Sequence, residues 1–282
     1  EGYSAKPMHS YWDDFFGLRG LKDAVFLATF LGKEEEARAW ARIRDEFAAD
    51  VHASLRLVME RKGIDWLPGC AELGDFDATS STAALAPGGE LARLPRAAVE
   101  RTFAKYLENV AKREAGEGEI YTPYELRTVG SLVRLGRRDE ALRLLDLFFR
   151  DLRPAEWNAW GEVVWRDPRT PKFLGDVPHT WVGSDFARSF LDFFAYERED
   201  DASLVVAAGI PESWVRSARG VSVKGLRTPW GPLDLSLGAD GPVLRARLSG
   251  LAAVPPGGVV QADAEFLSDF QLINPATRSQ LA

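Results

Sequence analysis

The sequence predicts a mainly α-helical chain followed by a small antiparallel β-segment, and three features support this prediction. Apolar residues recur at helical spacing through the region 1–200. The motif L-G-x-x-x-E-A occurs at 31–37 and again at 135–141, where a glycine ends one helix and acidic residues begin the next. From 201 onward the pattern changes to short alternating runs that are separated by turns. We therefore expect helical hairpins first and strands after them.

The expected helices are placed by their apolar stripes and by the residues that end them. They cover 13–31, 34–61, a segment opening at Pro95, a segment from the capping-box sequence Thr122-Pro123-Tyr124-Glu125 to Gly136, and 138–150. A last helix is expected to begin at Ser184 or Asp185 and to present Phe186, Phe190 and Phe194. The stripe of the first helix is Phe16, Leu21, Val25, Ala28 and Leu31. That of the second is Trp40, Ile43, Phe47, Val51, Leu55 and Val58.

The β-segment is expected to contain three short strands, at 221–227, 233–237 and 243–248. Such a meander cannot bury both of its faces alone, so we expect it to pack on the helices. The predicted domains are a helical part at 1–200, a small β-strand domain at 201–270 and a tail at 271–282.

Composition and charge exclude several classes of protein. The 282 residues include 35 basic and 42 acidic side chains, a formal net charge of −7, and this acidic balance argues against a nucleic-acid partner. No window is apolar enough to span a membrane. The single cysteine, Cys70, cannot form an internal disulfide. Since no nucleotide, zinc, EF-hand or serine-hydrolase motif occurs, neither a metal nor another cofactor is expected.

Aromatic and acidic residues concentrate in four segments at helix starts or in loops. The candidate site residues are Tyr11, Trp12, Asp13 and Asp14 in the first segment, Asp75 and Asp77 in the second, Trp160 and Glu162 in the third, and Asp176, His179 and Trp181 in the fourth. Tryptophan rings stack on the apolar faces of sugar rings, while carboxylates and imidazole bind the hydroxyls. Glycosidic cleavage needs two carboxyl groups, and a glutamate among tryptophans is in a setting that raises a carboxyl pKa. The pattern therefore indicates a carbohydrate-active protein.

Five motifs carry a resemblance to a known family. They are Y-W-D-D-F-F at 11–16, W-x-x-W-x-E-x-x-W at 157–165, G-D-x-P-H-T-W at 175–181, A-G-I-P-E-S-W at 208–214 and G-L-R-T-P-W-G at 225–231. In this order they resemble the six-hairpin, (α/α)6-toroid glycosidases, which include glucoamylases, trehalases and α-L-rhamnosidases. The resemblance implies an (α/α)-hairpin toroid followed by a small β-domain. Fewer helices are expected than a complete toroid has. The chain would therefore be either the C-terminal part of a toroid, completed by an upstream segment of the same polypeptide, or an incomplete barrel.

The resemblance also implies an activity and residue roles. The protein would be an inverting glycoside hydrolase that acts on an oligosaccharide or glycoside. Glu162 would be the general base that activates water, and His179 would contact the substrate. The general acid is open between Asp13, Asp14 and an upstream residue. The aromatic residues lining the sugar site would be Tyr11, Trp12, Trp160 and Trp181.

Structural roles and other functions stay open at this point. The alternatives are first-turn acids at Asp13 and Asp14, a turn and a cap at Asp75 and Asp77, an ion pair from Glu162 to Arg166 or Arg169, and a structural loop histidine at His179. The protein could also be a non-catalytic carbohydrate-binding or scaffold module with an incomplete acid–base pair, or a helical-repeat interaction protein.

Overall fold

The computed structural model describes residues 6–117, 120–150, 152, 155–162, 164–165, 177–261, 269–273 and 280–281. Within these ranges the chain is mainly α-helical with a small β part, as the sequence predicts. The chain divides into two compact units. The first comprises Glu1–Thr128 and Val163–Leu174, and the second comprises Val129–Glu162 and Gly175–Ala282.

Long helices build most of the first unit. They are α1 (Tyr11–Phe30), α2 (Glu34–Lys62), α3 (Ala78–Leu85) and α4 (Arg96–Glu114), and a short ladder of β1 (Ile120–Tyr121) and β2 (Val164–Trp165) accompanies them. The turn from α1 to α2 contains Gly32 at a φ of +70°. In this turn the Lys33 N–H donates to the Ala28 carbonyl at 2.8 Å, which is the bond that closes a Schellman-type helix end. The first predicted hairpin is thus confirmed.

The buried face of the α1–α2 hairpin is narrower than the predicted stripes. The buried residues of α1 are Tyr11, Phe15, Leu18 and Ala28. Phe16 and Leu31, which the sequence analysis places on the inward stripe, are exposed, and so are Trp40 and Ile43 of α2. The prediction was wrong at these positions because apolar residues occur on most sides of α1, so their spacing does not define a single face.

The second unit repeats the hairpin turn and adds the sheets. Its helices are α5 (Arg127–Arg134, which begins in the first unit), α6 (Arg138–Arg150), α7 (Thr180–Leu191) and α8 (Glu212–Val215). Between α5 and α6, Gly136 has a φ of +76° and the Arg137 N–H donates to the Leu132 carbonyl at 2.8 Å. The two L-G-x-x-x-E-A segments therefore form the same turn. No helix in the described ranges is long and apolar enough to cross a membrane.

The start of α7 differs from its prediction. The sequence analysis places the cap at Ser184 or Asp185, but the helix begins at Thr180 and its N-cap is His179, whose Nδ1 accepts from the Val182 N–H at 3.4 Å. Ser184 lies inside the helix, where its hydroxyl donates to the Trp181 carbonyl at 2.7 Å. A histidine nitrogen thus occupies the position that the prediction gave to a serine or aspartate oxygen.

The strands form two sheets in the second unit. Their bounds are β3 (Ala195–Arg198), β4 (Ser203–Val206), β5 (Val221–Thr228), β6 (Gly231–Asp240), β7 (Val243–Ser249), β8 (Val259–Gln261), β9 (Asp269–Ile273) and β10 (Gln280–Leu281). One sheet has the order β3-β4-β8 and the other β10-β9-β7-β6-β5. The predicted meander is the antiparallel β5-β6-β7. Two pairings, β4 with β8 and β7 with β9, are parallel and were not predicted.

The meander buries one face and uses residues of the predicted tail. Leu235 pairs with Leu248 and Leu237 with Ala246, and all four side chains are buried. The other face is polar, as alternation predicts. β10 pairs with β9 within the region that the sequence analysis assigns to a tail. α8 packs against β6 and covers part of the sheet.

Candidate functional site

The second unit brings two of the predicted segments together at the start of α7. The His179 N–H donates to the Trp160 carbonyl at 2.9 Å, and this bond joins the segment 155–162 to the N-terminus of α7. Glu162 follows Trp160 by two residues, and Trp181 follows His179 by two residues. The structure thus joins the segment that carries Trp160 and Glu162 to the helix start that carries His179 and Trp181. Asp176, the remaining candidate of this group, lies outside the described residues.

The two tryptophans of this region have different surroundings. The Trp160 ring is buried, its Nε1–H donates to the Phe148 carbonyl at 3.1 Å, and its centroid lies 5.6 Å from Phe149 and 5.1 Å from Phe186. Trp181 is 48% exposed. Trp160 is therefore a core residue of the aromatic cluster, whereas the Trp181 ring is half exposed to solvent.

The polar groups of the region are a carboxylate and an imidazole. Glu162 and His179 are both half-buried. Because Nδ1 of His179 accepts from the Val182 N–H, the neutral ring carries its proton on Nε2, which is then a hydrogen-bond donor. The exposed ring of Trp157 lies in the same segment as Glu162. A carboxylate acceptor, an imidazole donor and exposed indoles are groups that recognise a sugar.

An open cleft adjoins this region. It has a volume of about 540 Å³ and is lined by Arg143, Asp146, Phe149 and Arg150 of α6. Phe149 belongs both to the cleft and to the aromatic cluster, because its ring also contacts Phe186 at 5.5 Å. The second unit therefore has a concave surface next to the residues that cluster at the start of α7.

In the first unit, the side chains of Tyr11 and Trp12 interact with other side chains of the protein. Tyr11 is buried; its hydroxyl lies 2.7 Å from Ser54 Oγ, and burial raises the pKa of the phenol. The Trp12 ring is half-buried and packs with Phe16 at 4.7 Å. The Arg127 guanidinium lies 4.3 Å from its centroid, a cation–π distance. Both aromatic residues thus have packing roles that the sequence did not indicate.

The two acidic residues of the first α1 turn differ in exposure. Asp13 is exposed and Asp14 is half-buried. Burial raises the pKa of Asp14 above 3.8, although the nearby His9 acts in the opposite direction. His9 itself pairs with Glu72 at 2.6 Å. The Asp14 carboxyl therefore keeps its proton to a higher pH than an ordinary aspartate does.

Asp75 and Asp77 take the roles of a turn residue and a cap. Asp77 is the N-cap of α3, and its Oδ1 accepts from the Ser80 N–H at 3.0 Å. Oδ1 of Asp75 accepts from the Cys70 N–H at 2.9 Å. A Cβ at Gly69 would lie 2.8 Å from Asp75 Oδ2, so the Asp75 carboxylate packs directly against the Gly69 backbone. These contacts favour the structural alternative for both residues.

Two buried charged clusters in the first unit were missed from the sequence. Glu90 is fully buried and binds Lys22 Nζ at 2.6 Å and His52 Nε2 at 2.7 Å. Burial alone would raise the pKa of Glu90, but these two partners hold it below its ordinary value. Glu125, which the sequence analysis places in a capping box, binds Arg113 through both carboxylate oxygens. Partners this far apart in sequence leave no local signal.

Comparison with known proteins identifies no relative of this chain. No protein-family model, curated protein or solved structure matches this chain. Among the residues that the structure describes, no cluster of three or more histidine, cysteine, aspartate or glutamate side chains could hold a metal ion. The class that the fold defines is therefore a mainly α-helical protein with a small β part.

Proposed function

We propose that this protein binds an oligosaccharide at the start of α7 and hydrolyses a glycosidic bond there. The observation that carries the proposal is the hydrogen bond from His179 to the Trp160 carbonyl. This bond supports the proposal because it joins the segment that carries Glu162 to the start of α7, which carries His179 and Trp181. Trp181 would stack on a sugar ring, and His179 Nε2 would donate to a hydroxyl.

In this proposal Glu162 is the general base. A carboxylate that removes a proton from water lets the water attack the anomeric carbon and inverts the configuration there. Inversion rests on the resemblance to the six-hairpin glycosidases. The sequence-based candidates for the general acid, Asp13 and Asp14, belong to the first unit, so the proposal for the second unit names the base alone.

We also propose that the helical hairpins are part of an (α/α) toroid. The identical turns after α1 and α5, with Gly32 and Gly136 in the same left-handed conformation, support a repeated hairpin unit. Short connections of this kind make consecutive helices antiparallel neighbours.

Glu162→Gln tests the hydrolytic part of the proposal. The amide keeps the shape of the side chain but cannot accept a proton from water, so release of reducing sugar should fall by about 10²–10⁴-fold while oligosaccharide binding persists. The assay uses oligosaccharides of glucose, xylose, rhamnose and galacturonate, with binding followed by calorimetry. Glu156→Gln is the matched control, since Glu156 is an exposed glutamate of the same segment, and its turnover should equal that of the wild type.

The outcomes separate hydrolysis from binding. Undiminished turnover by Glu162→Gln would reject Glu162 as the base. Binding by the wild type without product release would favour the non-catalytic carbohydrate-binding module. A wild-type protein that binds none of these sugars would contradict the proposal as tested.

A further inference from the structure

One side of α1, together with its C-cap residue, carries exposed apolar side chains. Its side chains are between 40% and 76% exposed, and they are Phe16, Phe26, Leu27, Phe30 and Leu31. The Phe26 and Phe30 rings stack on each other at 6.3 Å. Charged side chains on this face are few, and Arg19 is paired there with Asp23 at 2.5 Å. An exposed helix face of this composition is typical of an interaction site.

The apolar surface continues onto α2. The Phe47 ring packs against Gly17 of α1. A Cβ added to Gly17 would lie 3.6 Å from this ring. Trp40 and Ile43 lie seven and four residues before Phe47, on the same side of α2, and both are exposed. We call the five α1 residues together with Trp40 and Ile43 the hairpin face.

The area of the hairpin face matches what a dimer needs. From the exposed fractions and a full side-chain area of about 200 Å², it presents about 780 Å² of apolar surface. The largest apolar patch of a typical monomer covers about 300–600 Å². A stable interface buries about 800 Å² per partner, including its polar rim. The hairpin face therefore supplies most of one standard interface.

The charges around the face favour two copies in antiparallel orientation. Glu34, Glu35 and Glu36 lie at the tip of the hairpin and are exposed. In a parallel pair the two acidic tips would meet and repel each other. An antiparallel pair centred near Leu27 would place the two tips on opposite sides of the centre, each about 10 Å from it, so the acidic groups would not meet.

We propose that the hairpin face is the interface of a homodimer. The α1–α2 hairpins of two copies pack antiparallel and form a four-helix bundle. The contact is isologous, so the same apolar residues are buried on both copies.

Sedimentation equilibrium of the full chain tests the dimer. The wild-type mass should rise with concentration from 31.2 kDa toward twice that value. Leu27→Glu places a charge in the contact and should weaken association by at least about 100-fold. Leu73→Glu is a matched control, because Leu73 is also an exposed leucine of the first unit, with the same 54% exposure as Leu27. This variant should associate like the wild type.

Circular dichroism checks that both variants are folded, and Phe30→Glu provides a second disruption if Leu27→Glu fails to fold. A wild-type chain that stays monomeric at every concentration would overturn the proposal. So would equal association of Leu27→Glu and Leu73→Glu. Loss of the dimer in Leu27→Glu and Phe30→Glu, with the dimer kept in Leu73→Glu, would support it.

Discussion

Replacing Arg113 by methionine is expected to lower the free energy of unfolding by about 3–5 kcal/mol. Arg113 in the last turn of α4 binds both carboxylate oxygens of Glu125, at 2.8 Å and 2.5 Å. The Tyr106 hydroxyl donates to the same carboxylate at 2.7 Å. Since Glu125 is buried, removal of the guanidinium would leave a buried charge without its counter-ion. Urea denaturation followed by circular dichroism measures the loss.

Arg101→Met is the control for this prediction. Arg101 is on the same helix and binds Glu108 at 2.9 Å, but both side chains are exposed, so the expected change is about 0–1 kcal/mol. The double variant Arg113→Met/Glu125→Gln should be more stable than Arg113→Met, because glutamine removes the buried charge and still accepts from Tyr106. Equal stabilities of Arg113→Met and Arg101→Met would show that the buried pair does not stabilise the fold as described.

Adding one methyl group at Gly209 is expected to destabilise the second unit by about 1–3 kcal/mol. A Cβ there would lie 2.4 Å from Cγ and 2.8 Å from Cα of Phe193. The Phe193 ring is fully buried and stacks on Trp214 at 6.3 Å, so it has little room to move. The midpoint and slope of urea denaturation of Gly209→Ala give the change in stability.

Gly183→Ala is the matched substitution with the opposite expected sign. Gly183 lies inside α7, and a Cβ there would meet nothing within 4 Å. Alanine in a helix is more favourable than glycine by up to about 1 kcal/mol, so this variant should be slightly more stable than the wild type. A Gly209→Ala variant as stable as Gly183→Ala would mean that Phe193 can shift without cost.

The helices and the meander could be predicted because their signals are local. The apolar spacing of α2, α4 and α6 and the alternation in β6 and β7 each lie within a single element. The turns at Gly32 and Gly136 were also predicted, since glycine at a helix end needs only a positive φ. In contrast, the parallel pairing of β7 with β9 joins separate segments, so no local pattern specifies it.

The candidate site could be predicted only in part for the same reason. Sequence spacing does not tell a buried indole from an exposed one. Trp160 and Trp181 were therefore both predicted to line the sugar site, although only Trp181 is exposed. The hydrogen bond that joins His179 to Trp160 connects residues nineteen positions apart. Likewise, Thr122 is an N-cap as the sequence indicates, because its Oγ1 accepts from the Tyr124 N–H. The Glu125 carboxylate forms an ion pair with Arg113, which lies twelve residues away in the chain.

Sugar binding at the start of α7 is tested most directly by calorimetric titration of Trp181→Ala and Trp40→Ala with the oligosaccharide that the wild type binds. Trp181 and Trp40 are 48% and 42% exposed, but of the two only Trp181 belongs to the start of α7, two residues after His179 in the chain. Loss of a stacking face should weaken binding to Trp181→Ala by at least about tenfold, or about 1.4 kcal/mol. Trp40→Ala should keep the wild-type affinity per chain. Unchanged affinity in Trp181→Ala would contradict a sugar site at this helix start.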